Sequence, residues 1–208
     1  MRTARADPQK QRGKGWRPPT WMLYLAGAAP GVWLFWQGVN DRLGADPLKE
    51  LEHGLGEWSL RFLILGLAVT PLRQAAGVNL VKYRRALGLL AFFYALAHLL
   101  TYVVLDQGLD WRAVWGDIVK RPYITVGMAA FLILLPLAAT SSNAAMRRLG
   151  RRWGQLHRWV YPAALLAALH FLILVKSWPA EPIIYTALVI ALLVWRAARR
   201  WLPRRALA

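Results

Sequence analysis

The chain has no cysteine. Disulfides, iron–sulfur clusters, thiolate zinc sites and cysteine catalysis are thereby excluded. Any metal must be held by His, Met or carboxylate, or arrive inside a cofactor. Acidic residues are scarce as well. Ten Asp and Glu stand against 27 Lys and Arg, for a formal net charge of +17. Gly-rich phosphate loops, HExxH and GxSxG are missing, and no stretch reads as a nucleotide-binding domain.

So basic a chain raises nucleic acid as a partner, but the placement of the charge argues against it. The basic residues cluster in short segments beside long apolar runs, which is the positive-inside pattern of a membrane protein. The composition agrees, at 57% hydrophobic with 12 Trp in 208 residues. That is more apolar surface than a soluble domain of this size hides. The expected fold class is an all-α integral membrane protein, a bundle of six transmembrane helices with lipid as its solvent.

The spans are expected at about 21–39, 54–72, 86–105, 122–143, 157–175 and 182–198, inside a transmembrane domain of 21–200. Basic tails flank it at 1–20 and 201–208. The first run lacks a small-x-small cleavage site, so it reads as an uncleaved span kinked at Pro30-Gly31. Asn40–Glu57 reads as an acidic loop that holds His53. Trp111 and Trp115, four apart, suit a short amphipathic turn at the interface.

Six spans place both termini on one side. The two tails and the loops after spans 2 and 4 hold 6, 5, 4 and 5 basic residues, with one acid, Asp7. The opposite loops and span ends hold nine of the ten acids. Both termini are therefore expected in the cytoplasm.

Between Arg85 and Asp106 lie twenty residues whose one ionisable group is His98. An ionisable residue inside a span is a functional candidate by default. His170 lies at a matching depth on span 5, which runs the same way; each sits roughly 10 Å from the outer boundary at about 1.5 Å per residue. Two histidines so placed suit the axial ligands of a b-type haem held between spans 3 and 5. The alternative is a pair of buried histidines bonded to backbone carbonyls.

His157 lies 13 residues before His170, about 20 Å along a helix. That is where a second haem's inner ligand would sit, yet the facing positions on span 3 are Arg84 and Arg85, which do not ligate iron. This leaves His157 either as ligand to a second haem with a non-histidine or absent partner, or as a group serving a propionate, quinone or flavin. Pro162 removes a helical N–H and should bend the helix close to His157. Arg61 pairs with Glu57 four residues earlier, or binds a haem propionate by charge. His53 bonds locally, or serves docking or a propionate.

A membrane cytochrome without a nucleotide domain must take electrons from another molecule, a quinol in the bilayer or a soluble reductase. Two rivals remain: a ferric- or oxygen-reductase-type cytochrome served by a domain in trans, and a small transporter or assembly factor whose histidines line a polar path.

Four stretches resemble a known family: LEHGLGEWSLRFLILGLAVTPLR (51–73), YRRALGLLAFFYALAHLLTYVVLD (83–106), KRPYITVGMAAFLILLPLAATS (120–141) and MRRLGRRWGQLHRWVYPAALLAALHF (146–171). They are similar to the MsrQ (YedZ) family, haem-binding membrane subunits within the ferric-reductase-like transmembrane group that also contains NADPH oxidases. The resemblance covers roughly 20–200. It implies a bacterial inner-membrane protein that passes electrons to MsrP, a periplasmic molybdopterin enzyme that repairs oxidised methionines. It implies haem b and FMN as cofactors, and the quinone pool or a cytosolic flavin reductase as donor. His98, His157 and His170 fall on the family's membrane histidines. For the FMN phosphate, Arg84, Arg85, Arg147 and Arg148 are candidate partners.

Overall fold

The computed structural model describes residues 18–174 and 179–201. Most of both expected basic tails, and the expected end of the fifth span at 175, lie outside those residues. Nine α-helices occur among the described residues, with no strand. Five of the helical stretches are long and apolar enough to cross a membrane: Pro47–Ala75, Val81–Asp106, Pro122–Ala139, Arg151–Leu174 and Ala180–Arg199. The first expected span is helical but is not one of these five. It carries three Trp, Gln37 and Pro30, which dilute its apolar run.

That helix, α1 (Thr20–Val39), is seated instead by close fit. Pro30 has no N–H to close the ladder. Beside it, the Tyr94 hydroxyl inserts into the ladder, accepting from Gly31 N at 2.7 Å and donating to the Gly27 carbonyl at 2.7 Å. Side-chain insertion of this kind is a recognised cause of helix bending. A methyl on Gly27 would come within 2.4 Å of Leu90, so the small face of α1 is what lets it dock.

The second helix, α2 (Pro47–Ala75), begins seven residues before the expected 54. Asp46 caps it by accepting from Lys49 N at 3.3 Å, and Pro47 occupies the first turn, where its missing N–H costs nothing. The Lys49 ammonium beside it holds the Asp46 carboxyl below the usual carboxylate value. His53 therefore sits in a helix, not in a loop as expected. Helix α3 (Arg84–Leu100) continues as a π-helical stretch, Thr101–Asp106, three residues beyond His98. The expected turn at Trp111 and Trp115 is a helix, α4 (Trp111–Lys120), capped by Asp110. It buries Val114 and leaves both Trp exposed, as an interfacial helix does.

Helix α5 (Pro122–Ala139) stops short of the expected 143, because Ser142 caps a new helix by accepting from Ala145 N. The expected basic loop is in fact two short helices, α6 (Asn143–Leu149) and α7 (Arg151–Leu156), hinged at Gly150 with φ 49°. A 3₁₀ turn, His157–Trp159, follows, then α8 (Val160–Leu174) with Pro162 in its first turn and α9 (Ala180–Trp201). A 3₁₀ turn thus stands in place of regular helix just before Pro162, where the sequence predicted a bend.

Residue contacts set the directions. Gly27 meets Leu90 and Gly31 meets Tyr94, so α1 and α3 are parallel. Gly56 meets His98 and Gly66 meets Leu87, so α2 runs against α3. Tyr123 meets His170 and Thr140 meets Trp153, so α5 runs against the Arg151–Leu174 stretch that ends in α8. One end of the bundle carries Asp41, Asp46, Glu50 and Asp110; the other carries Arg73, Arg84, Arg85 and Arg147. We call these the acidic and basic ends. The core lies along α2 and α3, where Leu55, Phe62, Leu63, Leu87, Leu90 and Ala91 are buried. Ser59 donates across it to the Ala91 carbonyl at 2.8 Å. Ala164 and Ala168 of α8 are fully buried against Leu60 and Leu67, the small side chains that close helix packing in lipid requires.

Candidate functional site

His98 reaches the site from near the end of α3. Its imidazole lies against α2, where Nδ1 is 2.8 Å from the Glu52 carbonyl oxygen. A methyl on Gly56 would come within 3.2 Å of that Nδ1. His170 reaches the site from near the end of α8 and lies against α5. Its Nδ1 is 2.7 Å from the Tyr123 carbonyl oxygen, and a methyl on Gly127 would come within 2.8 Å of it. The structure brings the two rings together, with centroids 6.1 Å apart and planes at 73°.

A carbonyl oxygen only accepts. Each Nδ1 must therefore carry the proton and donate it, which leaves Nε2 with the free lone pair. Metal-bound histidines are held this way, with the second nitrogen bonded to a carbonyl or carboxylate that fixes tautomer and ring orientation. The spacing suits the same chemistry. With metal–nitrogen bonds of about 2 Å, two imidazoles on opposite sides of one metal ion place their ring centres about 6 Å apart. By this spacing, and with each Nε2 lone pair left free, the two residues fit the donor set of an iron porphyrin. Among the described residues there is no group of three or more His, Cys, Asp or Glu able to hold a bare metal ion.

His157 is not brought to this pair. It lies in the 3₁₀ turn toward the basic end, stacked on Trp153 at 3.9 Å between centroids and 24° between planes. Its Nδ1 is 3.1 Å from the Trp153 carbonyl oxygen, within its own segment. Its Nε2 is buried without a hydrogen-bond partner among the described residues. Trp153 is pinned in turn by donating to the Thr140 carbonyl at 2.9 Å. The two arginines at the facing depth are engaged: Arg84 donates to Thr70 at 2.9 Å, and Arg85 donates to Asn143.

Arg61 pairs with Glu57 at 2.8 Å and donates from Nε to the Tyr185 hydroxyl at 2.8 Å, so it ties α2 to α9. Its guanidinium also lies over the Trp58 ring at 4.8 Å. Arg61, Glu57, His53, Glu50, Arg42 and Gln37 help line a cavity of about 560 Å³ near the acidic end. His53, Glu57 and Arg61 share one stripe of α2. Glu52 and Gly56, which meet His98, lie on the neighbouring stripe about 100° round the helix.

Sequence reasoning missed the backbone partners. Nothing in it singled out Glu52 and Tyr123 as acceptors, or Gly56 and Gly127 as the room the rings need. The available signal was a glycine within the first ten residues of each helix that faces a span histidine.

Residues 55–168 match the family described as the ferric reductase like transmembrane component. The chain is 59% identical over 185 residues to the protein-methionine-sulfoxide reductase heme-binding subunits MsrQ of Brucella ovis, Brucella canis and Brucella suis. The aligned part covers 89% of this chain and 84% of each relative. No solved structure matches.

Proposed function

Because this chain belongs to the MsrQ family of haem-binding subunits, within the ferric-reductase-like transmembrane proteins, we propose that it is the membrane electron-transfer subunit of a protein-methionine-sulfoxide reductase system. His98 and His170 are the axial ligands of one b-type haem near the acidic end. The observation that carries this is the spacing of the pair, two imidazoles with centroids 6.1 Å apart; the carbonyl bonds at Nδ1 are common to this reading and to a purely packed pair. A haem held there by His98 and His170 would supply one-electron redox chemistry.

The chain's own residues do the rest. The Glu52 and Tyr123 carbonyls fix which nitrogen of each ring is free. Buried Phe92 and Tyr94 of α3, with Phe131 of α5 packed beside them, keep water from the middle of the bundle. Arg61 stands one stripe away on α2, and we propose it as the positive partner of a propionate. His53, on the same stripe, is a second candidate.

The topology we propose has α1 as a sixth span, both termini in the cytoplasm of a bacterium and the acidic end at the periplasmic face of the inner membrane. Electrons from the quinone pool or a cytosolic flavin reductase pass outward to the molybdopterin subunit MsrP, and the catalysis of methionine repair belongs to that partner. For the FMN phosphate, Arg147 and Arg148 are the favoured partners, because they are exposed at the end of α6 whereas Arg84 and Arg85 are engaged. A reduced-minus-oxidised absorbance spectrum of the purified protein tests the reading. A b-type α-band is expected; a protein purified intact and free of haem sinks it.

A further inference from the structure

The two candidate ligands sit in sockets built to one plan. Each ring bonds a carbonyl on a neighbouring helix, and in each case a glycine follows that carbonyl by four residues: Glu52 and Gly56 on α2, Tyr123 and Gly127 on α5. In an α-helix the carbonyl of residue i already accepts from the N–H of residue i+4. It has a second lone pair to offer, and the side chain at i+4 stands beside it. Without a Cβ there, an imidazole can come in over the backbone and take that lone pair.

The clearances show that the room is used. A Cβ on Gly127 would lie 2.8, 2.9 and 3.1 Å from Nδ1, Cε1 and Cγ of His170. A Cβ on Gly56 would lie 3.2, 3.4 and 3.7 Å from the same atoms of His98. Neither glycine has a positive φ, so backbone freedom is not why glycine stands there. Glycine weakens a helix relative to alanine, and here the compensating gain is the approach of the ring. What sets these two apart is the ring they face, since a Cβ on Gly54 of α2 would be as crowded but by Leu34, at 3.0 Å. A Cβ on Gly66 of α2 would meet only Leu87, at 3.8 Å, and one on Gly88 of α3 would meet nothing within 4 Å.

We propose that Gly56 and Gly127 are positioning residues for the redox centre. By admitting each ring against a bare stretch of helix, they hold the Nδ1–H···O=C bond. That bond sets the tautomer, the basicity and the plane of each ligand. This rests on the ligation proposed above. A strong bond at Nδ1 makes the imidazole a better donor to iron and favours the ferric state. Crowding the ring lengthens that bond, so the midpoint potential should move to more positive values. The plane angle of 73° should change with it.

The test compares the full-length haem-loaded wild type with Gly127→Ala, Gly56→Ala and the controls Gly66→Ala and Gly88→Ala. Redox titration and electron paramagnetic resonance of the oxidised protein are the readouts. A positive shift with altered low-spin g-values is expected for Gly127→Ala, a smaller shift the same way for Gly56→Ala, and none for the controls. If Gly127→Ala does not accumulate, Gly56→Ala carries the test, since its clash is mild. Wild-type potential and g-values in the socket variants, or equal shifts in the controls, overturn this proposal alone. A wild type without low-spin haem overturns it together with the ligation it rests on.

Discussion

The two ends of the bundle use histidine differently. At the acidic end, His98 and His170 are each held by a helix other than their own and lie side by side. Toward the basic end, the Nδ1 of His157 is held by its own segment, against the Trp153 ring and the Trp153 carbonyl, with the Leu137 backbone of α5 also acting on the ring. What separates the pair from His157 is where the Nδ1 proton goes. A bond to a partner helix aims the ring into the space between helices; a bond within the segment folds it back on its own chain.

The largest expected effect breaks the comparison outright. His98→Ala and His170→Ala should each abolish the haem measured per purified chain, while His157→Ala should keep it. Equal loss in all three variants would make the two ends alike and remove the basis for the contrast.

A second change asks whether the basic end lacks only a partner. Arg85→His supplies an imidazole near the depth of His157, yet it leaves the His157 ring stacked on Trp153 with Nε2 buried. Haem per chain should stay at the wild-type value. A gain of one haem would show that the missing histidine was the whole difference.

Tyr94→Phe sharpens the comparison from outside either site. It removes the hydroxyl that bridges Gly31 and Gly27 in α1, two hydrogen bonds of about 1 kcal/mol each, part of which is regained when the Gly31 N–H closes the helical ladder onto the Gly27 carbonyl. Thermal unfolding in detergent should move to lower temperature with the haem spectrum unchanged. A changed spectrum would mean that α1 helps shape the site.

Trp153→Phe should have the smallest effect. It keeps an aromatic face for His157 and loses one hydrogen bond, to the Thr140 carbonyl, worth about 1 kcal/mol. A small loss of thermal stability is expected, with the acidic-end signal unaltered.

Much of this was legible in the sequence. The charge map divided the chain into two ends, and counting from Arg85 and Arg158 matched His98 to His170, whose rings the structure puts in contact range. Three helix starts went unread although each carries a cap: Asp46-Pro47, Asp110 and Ser142 begin helices by side-chain bonds where a loop, a turn and the end of a span were expected. Reading Asp46-Pro47 as a cap places His53 in a helix rather than in a loop. Hydropathy alone was a poor guide to α1, because its docking depends on Gly27, Gly31 and a tyrosine 63 residues beyond Gly31. The sockets left only a faint trace in the sequence, a glycine early in each facing helix. Their acceptors are backbone atoms, and carbonyls have no letter in a sequence. Gly56 and Gly127 gain meaning only when a ring from another helix is seen against them.

The central claim is that His98 and His170 jointly hold one haem iron. Electron paramagnetic resonance of the oxidised wild type tests it most directly. The account predicts a strongly anisotropic low-spin ferric signal, as two axial imidazoles at a steep angle give, absent from His98→Ala and from His170→Ala. A high-spin signal in the wild type, or a low-spin signal that survives either substitution, would contradict it.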